Sequence, residues 1–256
     1  MTDSASWTID WISEEQVETI ARKSFAGIIK RVKAKQKKNL QTDPTLVIAL
    51  SSFLDLPYKD VIRIADDVSV VKTLQNAIGN FHQAILGEVA GWTDSGANGG
   101  VFDIYSNDKV TLAGDRNVVA EVKMRYNTIK ASDEAKTWDK LKDAVNSRGG
   151  SSQCVAYLIQ IVPKTQEAYD RPWKVSGRSP LPYVRCMDGT TAYHLVTGEP
   201  DALNQLLHAL PKVFGKIMDE SKESGIDKTN LITNVYIDQS IKQSLPARSA
   251  LIGDGR

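Results

Sequence analysis

Apolar positions at helical spacing open the chain. Behind Ser13-Glu14-Glu15-Gln16, the residues Val17, Ile20, Ala21, Phe25, Ile28 and Val32 recur every three or four positions, which predicts an amphipathic helix. Ser13 and Gln16 form a capping-box pattern, in which the two side chains satisfy amides at the helix start. Asp43-Pro44 marks a second start, a cap followed by proline at the first helical position, with a helix expected through Phe53. Pro57 to Ile64 opens a further short helical piece. Val71, Leu74, Ile78, Phe81 and Ile85 then line one face of a longer helix, and the same spacing lands on Glu88, just ahead of Gly91.

The period changes after Trp92. Asp94 to Gly100 is a glycine-rich loop, Val101 to Tyr105 reads as a short strand, and Val110 to Leu112 as a possible middle strand before Asn117. In Val118 to Met124 alternation is informative. Val118, Ala120, Val122 and Met124 point one way; Val119, Glu121, Lys123 and Arg125 point the other. The first face is apolar, whereas the second carries three charges in succession. Ser132 is the expected cap of the next helix, with Asp133 and Glu134 in its first turn and a stripe of Ala135, Trp138, Leu141 and Val145. Gly149-Gly150 ends it. Cys154 to Val162 is a nearly continuous apolar run, as in a strand covered on both faces. Strand, helix and buried strand make a crossover unit, so these two strands should be parallel.

Beyond Pro163 the chain is irregular and rich in proline, arginine and aromatics as far as Asp188. Thr190 to Val196 reads as another strand. Pro200 to Met218 reads as an amphipathic helix interrupted at Pro211. Leu231 to Ile237 is a late strand candidate, and Ser249 to Arg256 a loose tail. The implied organisation is a helical N-terminal segment over 1–70, an α/β core over 71–200, and a C-terminal helix, late strand and tail over 201–256 packed on that core.

Composition narrows the class. Of 256 residues, 41% are hydrophobic and 25% charged, as in an ordinary globule. No stretch reaches the ~18 consecutive apolar residues of a membrane span, and Met1 to Ile9 lacks the layout of an export signal. The expected location is cytoplasmic, with no membrane partner. The net charge of +1 neither requires nor excludes nucleic acid, because local patches bind phosphates. One such patch is Lys30, Arg31, Lys33, Lys35, Lys37 and Lys38, which is either a solvated helix end or a phosphate contact. Cys154 and Cys186 have no metal-binding spacing and read as buried thiols. His82, His194 and His208 show no zinc pattern, and His82 reads as a structural histidine. Any metal should therefore be a hard cation held by carboxylates.

Phosphodiester hydrolysis needs a divalent cation against the phosphate, an in-line water, and compensation of developing charge. Asp103 and Glu121 lie on neighbouring strand candidates. Glu121 and Lys123 are two apart, so their side chains emerge side by side and place an ammonium beside a cation held by the acids. The Val122 carbonyl is a further candidate ligand, and Glu88 a candidate outer carboxylate. Magnesium suits one or two carboxylates plus water.

The order of helix with terminal Glu88, strand with Asp103, strand with Glu121-Val122-Lys123, helix and buried strand resembles the PD-(D/E)XK nuclease superfamily. The stretches F-H-Q-A-I-L-G-E-V-A-G-W (81–92), G-G-V-F-D-I (99–104), A-E-V-K-M-R-Y-N-T (120–128) and D-G-T-T-A-Y-H-L-V-T-G (188–198) resemble type II restriction endonucleases that read GGNCC-like sites. The resemblance spans roughly Phe81 to Gly198. It implies a restriction-endonuclease-like mixed sheet flanked by helices, with a DNA-recognition insertion over about 163–190. It also implies a homodimer that uses Mg2+ to cut both strands of a short palindromic, G/C-rich double-stranded DNA site. A DNA methyltransferase is then expected as a genomic neighbour. The metal-binding carboxylates carry over to Asp103 and Glu121, and the catalytic lysine to Lys123. Phe102 stands where the motif has proline, and Met124-Arg125 where Asn-Lys is usual.

DNA contacts are expected from Arg125, Asn127 and Thr128 after the catalytic strand, and from Arg171, Lys174, Arg178 and Arg185 in the irregular segment. For Asn127 and Thr128 a locally bonded turn is the competing reading. Any one of the basic residues is as suited to phosphate as to a base edge. Two other functions fit the same residues: a structure-selective or repair nuclease of this fold, and a non-catalytic DNA-binding module whose charged strand face is a salt-bridged surface.

Overall fold

A computed structural model describes residues 7–33, 43–96, 102–219 and 234–252. Eight helices, six strands and one short 3-10 turn are present among them. A mixed six-stranded sheet is flanked by helices on both faces. Its strands are β1 (Trp92–Asp94), β2 (Ile104–Ser106), β3 (Asn117–Arg125), β4 (Cys154–Val162), β5 (Asp170–Pro172) and β6 (Val184–Asp188), in the order β1-β2-β3-β4-β6-β5. β3, β4 and β6 run parallel, and the outer strands on either side are antiparallel to their neighbours.

The crossover unit forms as the sequence predicts. β3 leads through α5 (Ala131–Asn146) to β4, with Glu121 level with Leu158 and Lys123 level with Gln160. Alternation along β3 holds: Val118, Ala120 and Val122 enter one core, while Val119 enters the other beneath Trp138, Leu141 and Val145 of α5. The charged face is therefore covered as well, at its Val119 end. Each buried valine among these contributes about 1.5–3 kcal/mol, so packing helps set the register that presents Glu121 and Lys123.

The first core joins α1 (Glu14–Ser24), the C-terminal part of α4 (Tyr58–Glu88), α6 (Gly189–Thr197) and α7 (Ala202–Asp219) to the sheet. The capping box is formed: Ser13 Oγ accepts from Gln16 N at 3.2 Å, and Gln16 Oε1 from Ser13 N at 3.0 Å. Asp43 caps α3 (Pro44–Leu54), accepting from Thr45 N at 2.8 Å.

Several elements differ from the sequence expectation. The first helix breaks at Phe25 into α1 and α2 (Ala26–Lys33); Gly27 follows the break, and glycine holds a helix poorly. Of the basic run, Lys35, Lys37 and Lys38 lie outside the described residues. The two pieces expected after Pro57 are one 31-residue helix, α4. Val110–Leu112 is no strand: Val110 makes a single bridge to Arg116, and Thr111–Ala113 is a 3-10 turn. Lys130, not Ser132, occupies the cap of α5.

Thr190 to Val196 is helical, as α6. Asp188 caps it through Thr191 N at 2.9 Å and Thr191 Oγ1 at 2.6 Å. Its apolar run mimics a strand because this short helix is buried nearly all round. A side chain at Gly189 would collide with the Ile161 backbone of β4, which is why D-G-T-T carries glycine there. Pro211 lies inside α7 without ending it, since Leu203, Leu206, Val213 and Ile217 anchor both halves in the core. Asn234 to Ile237 opens α8 (Asn234–Ser244) rather than a strand; Leu231 to Thr233 lie outside the described residues. Ser249 is not loose but buried, bonding His194 Nδ1 at 2.9 Å. Among the described residues no helix is long and apolar enough to cross a membrane.

Candidate active site

Asp103 sits one residue ahead of β2, and its backbone is fixed from both sides. Its N–H donates to Ala120 O of β3 at 2.9 Å, while its carbonyl accepts from Ser95 N and Ser95 Oγ, each at 2.9 Å. The side chain turns back on β3, where Oδ2 accepts from Val122 N at 2.7 Å. In an extended strand the N–H and C=O of one residue face the same edge. The Val122 carbonyl therefore faces the Asp103 side, away from the β4 ladder.

Lys123 lies between the two acids. Its Nζ is 2.7 Å from Glu121 Oε1 and 3.7 Å from Asp103 Oδ2. The other Glu121 oxygen meets Lys140 Nζ of α5 at 3.5 Å. Glu121 is 9% exposed, so each of its oxygens is matched by a separate ammonium. Burial raises the Asp103 pKa above the ordinary carboxylate value. The nearby Glu121 charge adds to this, while Lys123 and the Val122 N–H oppose it. An acid whose charge is disfavoured by burial and by a second carboxylate close by suits a cation. The donors on offer are hard oxygens: two carboxylates and a main-chain carbonyl. Among the described residues no group of three His, Cys, Asp or Glu stands together to hold a metal, so water would complete any coordination shell, as suits magnesium.

The structure thus gathers Asp103, Glu121, Val122 and Lys123, and adds Lys140. Lys140 lies one residue before Leu141 in the α5 stripe, and its distance from Glu121 in the chain left no spacing signal. Glu88 is exposed at the end of α4, where it accepts from Gln16 Nε2 at 3.0 Å; its recorded partner is thus the cap of α1 and not this cluster. His82 is structural, with Nδ1 2.8 Å from the Tyr193 hydroxyl. Cys154 and Cys186 are buried free thiols. An apolar cavity of about 400 Å3 between α7, α8 and the end of β4 includes none of the clustered acids and lysines.

The basic residues separate into two groups. Arg185 donates to Asp170 Oδ1 at 2.6 Å, Asp170 O at 2.8 Å and Pro182 O at 3.2 Å, bracing β5 against β6. Arg178 forks onto Asp139 of α5 at 2.7 and 2.5 Å. Arg125, Asn127, Arg171 and Lys174 are exposed, with Arg171 stacked on Tyr169 at 4.8 Å. Thr128 donates its hydroxyl to Arg125 O at 2.7 Å, the local bond of a turn.

Fold and site together define a mixed-sheet α/β protein whose central strand carries Glu121 and Lys123, with Asp103, just ahead of the neighbouring strand, on the other side of the lysine. A family model described as Eco47II restriction endonuclease matches residues 9–219, and the chain belongs to that family. It is 36% identical over 156 residues to the type II restriction enzyme Eco47II of Escherichia coli, an alignment covering 58% of this chain and 62% of that protein. It is 24% identical over 176 residues to the type II restriction enzyme Sau96I of Staphylococcus aureus, covering 65% and 63% respectively. The chain thus spans about three fifths of the length of these relatives.

Proposed function

We propose that this protein is a type II restriction endonuclease with a PD-(D/E)XK core. It makes Mg2+-dependent double-strand cuts at a short palindromic, G/C-rich site of the GGNCC type. It works in the cytoplasm as a homodimer, beside a methyltransferase that shields the host's own sites. The observation that carries this reading is Lys123 Nζ lying 2.7 Å from Glu121 and 3.7 Å from Asp103 on one strand edge. Family membership and the names of the two relatives support it.

In this reading Asp103, Glu121 and the Val122 carbonyl hold the cation. Bound there, magnesium supplies charge compensation at the phosphate and acidifies a water. Lys123 orients the attacking water through its ammonium and offsets charge on the phosphate oxygens. Lys140 fixes the far oxygen of Glu121, and Glu88, held by Gln16, serves as an outer carboxylate. Arg125, Asn127, Thr128, Arg171 and Lys174 are the candidate DNA contacts. Arg178 and Arg185 act through the shape of the recognition segment, because their donors are engaged internally.

The test is digestion of a sequenced plasmid with magnesium, with fragment ends mapped. Discrete double-strand ends at one short G/C-rich sequence are expected, and chelation should abolish them. Uniform nicking or cutting at branched structures would favour the structure-selective nuclease. Intact DNA with folded protein would favour the binding module.

A further inference from the structure

Gln160 of β4 stands level with Lys123 of β3 and with Asp188 of β6. Residues in register on parallel strands point to the same face, as Val119 and Ala156 do in one core. Lys123, Gln160 and Asp188 therefore form a polar row toward the C-terminal ends of the three parallel strands. In the apolar run C-V-A-Y-L-I-Q-I-V this glutamine is the exception, and both ends of its amide are engaged. Nε2 donates to Tyr126 O at 3.2 Å, and Oε1 accepts from the Tyr169 hydroxyl at 2.6 Å. A carbonyl only accepts, which fixes the end of the amide that faces Tyr126.

The two partners belong to different segments. Tyr126 lies in the turn after β3, among the candidate DNA contacts Arg125, Asn127 and Thr128, and its own N–H donates to Val162 O at 3.0 Å. Tyr169 lies just ahead of β5 in the irregular segment. Its N–H donates to Asp188 Oδ2 at 2.8 Å, and its ring carries the Arg171 guanidinium at 4.8 Å. Thr128 closes the turn on itself, and Arg185 braces β5 on β6. Neither bond reaches from one segment to the other, whereas the Gln160 amide does.

We propose that Gln160 is a positioning residue for cleavage. Its amide clasps the turn after β3 and the Tyr169–Arg171 stretch to the sheet beside Lys123, so that DNA gripped by both segments is seated against Asp103, Glu121 and Lys123. The clasp sets where the duplex lies and leaves the number of DNA contacts unchanged. Its loss therefore acts on the rate of cutting more than on affinity, because a small misplacement of the reacting phosphate is costly. The inference rests on the restriction-enzyme reading for the cutting that Gln160 tunes; the bridge between the two segments follows from the hydrogen bonds alone.

Gln160→Met keeps the length of the side chain and removes both bonds. In single-turnover cutting of plasmid DNA with magnesium, its rate should fall about 10- to 100-fold. Affinity for the same DNA in calcium should change by no more than a few-fold. Misfolding of part of the sample would lower the amplitude of the turnover and not its rate. Tyr169→Phe removes one bond and should slow cutting less; added to Gln160→Met it should slow cutting no further, as expected of residues acting through one contact. Hydrogen exchange on a plasmid-derived duplex in calcium gives a readout without cleavage: residues 125–128 and 169–172 should gain protection together in wild type and unequally in Gln160→Met. An unchanged rate, a fall in affinity that matches the fall in rate, additive losses in the double variant, or equal gains in protection in Gln160→Met would each overturn the proposal. A protein that shows the exchange pattern and never cuts would sink the nuclease reading alone; a wild type that cuts no faster than Gln160→Met would sink the clasp alone.

Discussion

The Val122 amide donates to Asp103 Oδ2 at 2.7 Å, and this bond ties the two halves of the site together. It turns the first acid back onto the strand that carries the second acid and the lysine. One consequence concerns stability without metal. Asp103 has its pKa raised by burial and by Glu121, so its ionisation opposes folding. The unfolded chain releases this proton first, and the stability it leaves declines as pH rises through and above the ordinary carboxylate range. Asp103→Asn keeps an oxygen for Val122 and removes the charge. Its melting temperature at neutral pH, in chelator, should exceed wild type by a few degrees, while cutting is lost. A lower melting temperature would show that the charge is already compensated by Lys123.

Lys123→Ala separates chemistry from binding. The ammonium contacts both acids but belongs to neither core. Cutting should drop by about 1000-fold, and affinity for the specific duplex, measured with calcium to prevent cleavage, should change by no more than a few-fold. Equal loss of both would make Lys123 a binding residue.

Lys140→Met tests the residue that packing alone brought to Glu121. Lys140 is half-exposed and Glu121 keeps Lys123 as a partner, so the loss of stability should stay near about 1 kcal/mol and the fold should be unaffected. If Lys140 positions the Glu121 carboxylate, calcium affinity measured by calorimetry should weaken about 10-fold, and Lys140→Arg should restore most of it. Unchanged affinity would reduce the contact to a surface ion pair.

How much of this was legible in the sequence depends on range. Alternation in β3 placed Glu121 and Lys123 on one face, because a strand's period of two is a local property. The parallel pairing of β3 and β4 followed from the crossover rule. Ser13 and Asp43 revealed their caps because their partners lie within three residues. Lys140 was not legible, since α5 must first pack on β3 before its ammonium reaches Glu121. Nor was the setting of Glu88: its spacing predicted a carboxylate at the helix end, but its contact with Gln16 crosses 72 residues. Arg185 and Asp170 likewise meet only through β5–β6 pairing. The helix α6 looks like a strand in sequence because burial on every side erases the amphipathic period.

The arginines should divide as their contacts do. Arg185→Ala strands Asp170, whose pKa burial already raises, and should cost about 2–4 kcal/mol in denaturant unfolding. Lys174→Ala, at an exposed position, should leave stability within about 0.5 kcal/mol and weaken DNA binding with a reduced salt slope. Unchanged DNA affinity for Lys174→Ala would remove it from the contact set.

His82 supplies an acid limit to stability that is separate from the Asp103–Glu121–Lys123 cluster. Burial lowers its pKa from 6.5 to about 4, and its Nδ1 partner is the buried Tyr193 hydroxyl at 2.8 Å. The folded protein therefore keeps this imidazole neutral where the unfolded chain protonates it. With more protons bound to the unfolded state, unfolding free energy rises with pH across this window. The contribution is complete above pH 6.5 and is lost progressively as pH falls toward 4, by at most about 3 kcal/mol. Urea unfolding at a series of pH values between 7.5 and 4.5 should show this slope. His82→Phe sacrifices the Tyr193 bond and so lowers stability at pH 7.5, but should flatten the dependence between 6.5 and 4.5. A slope unchanged in that variant would assign the acid sensitivity to the carboxylates instead.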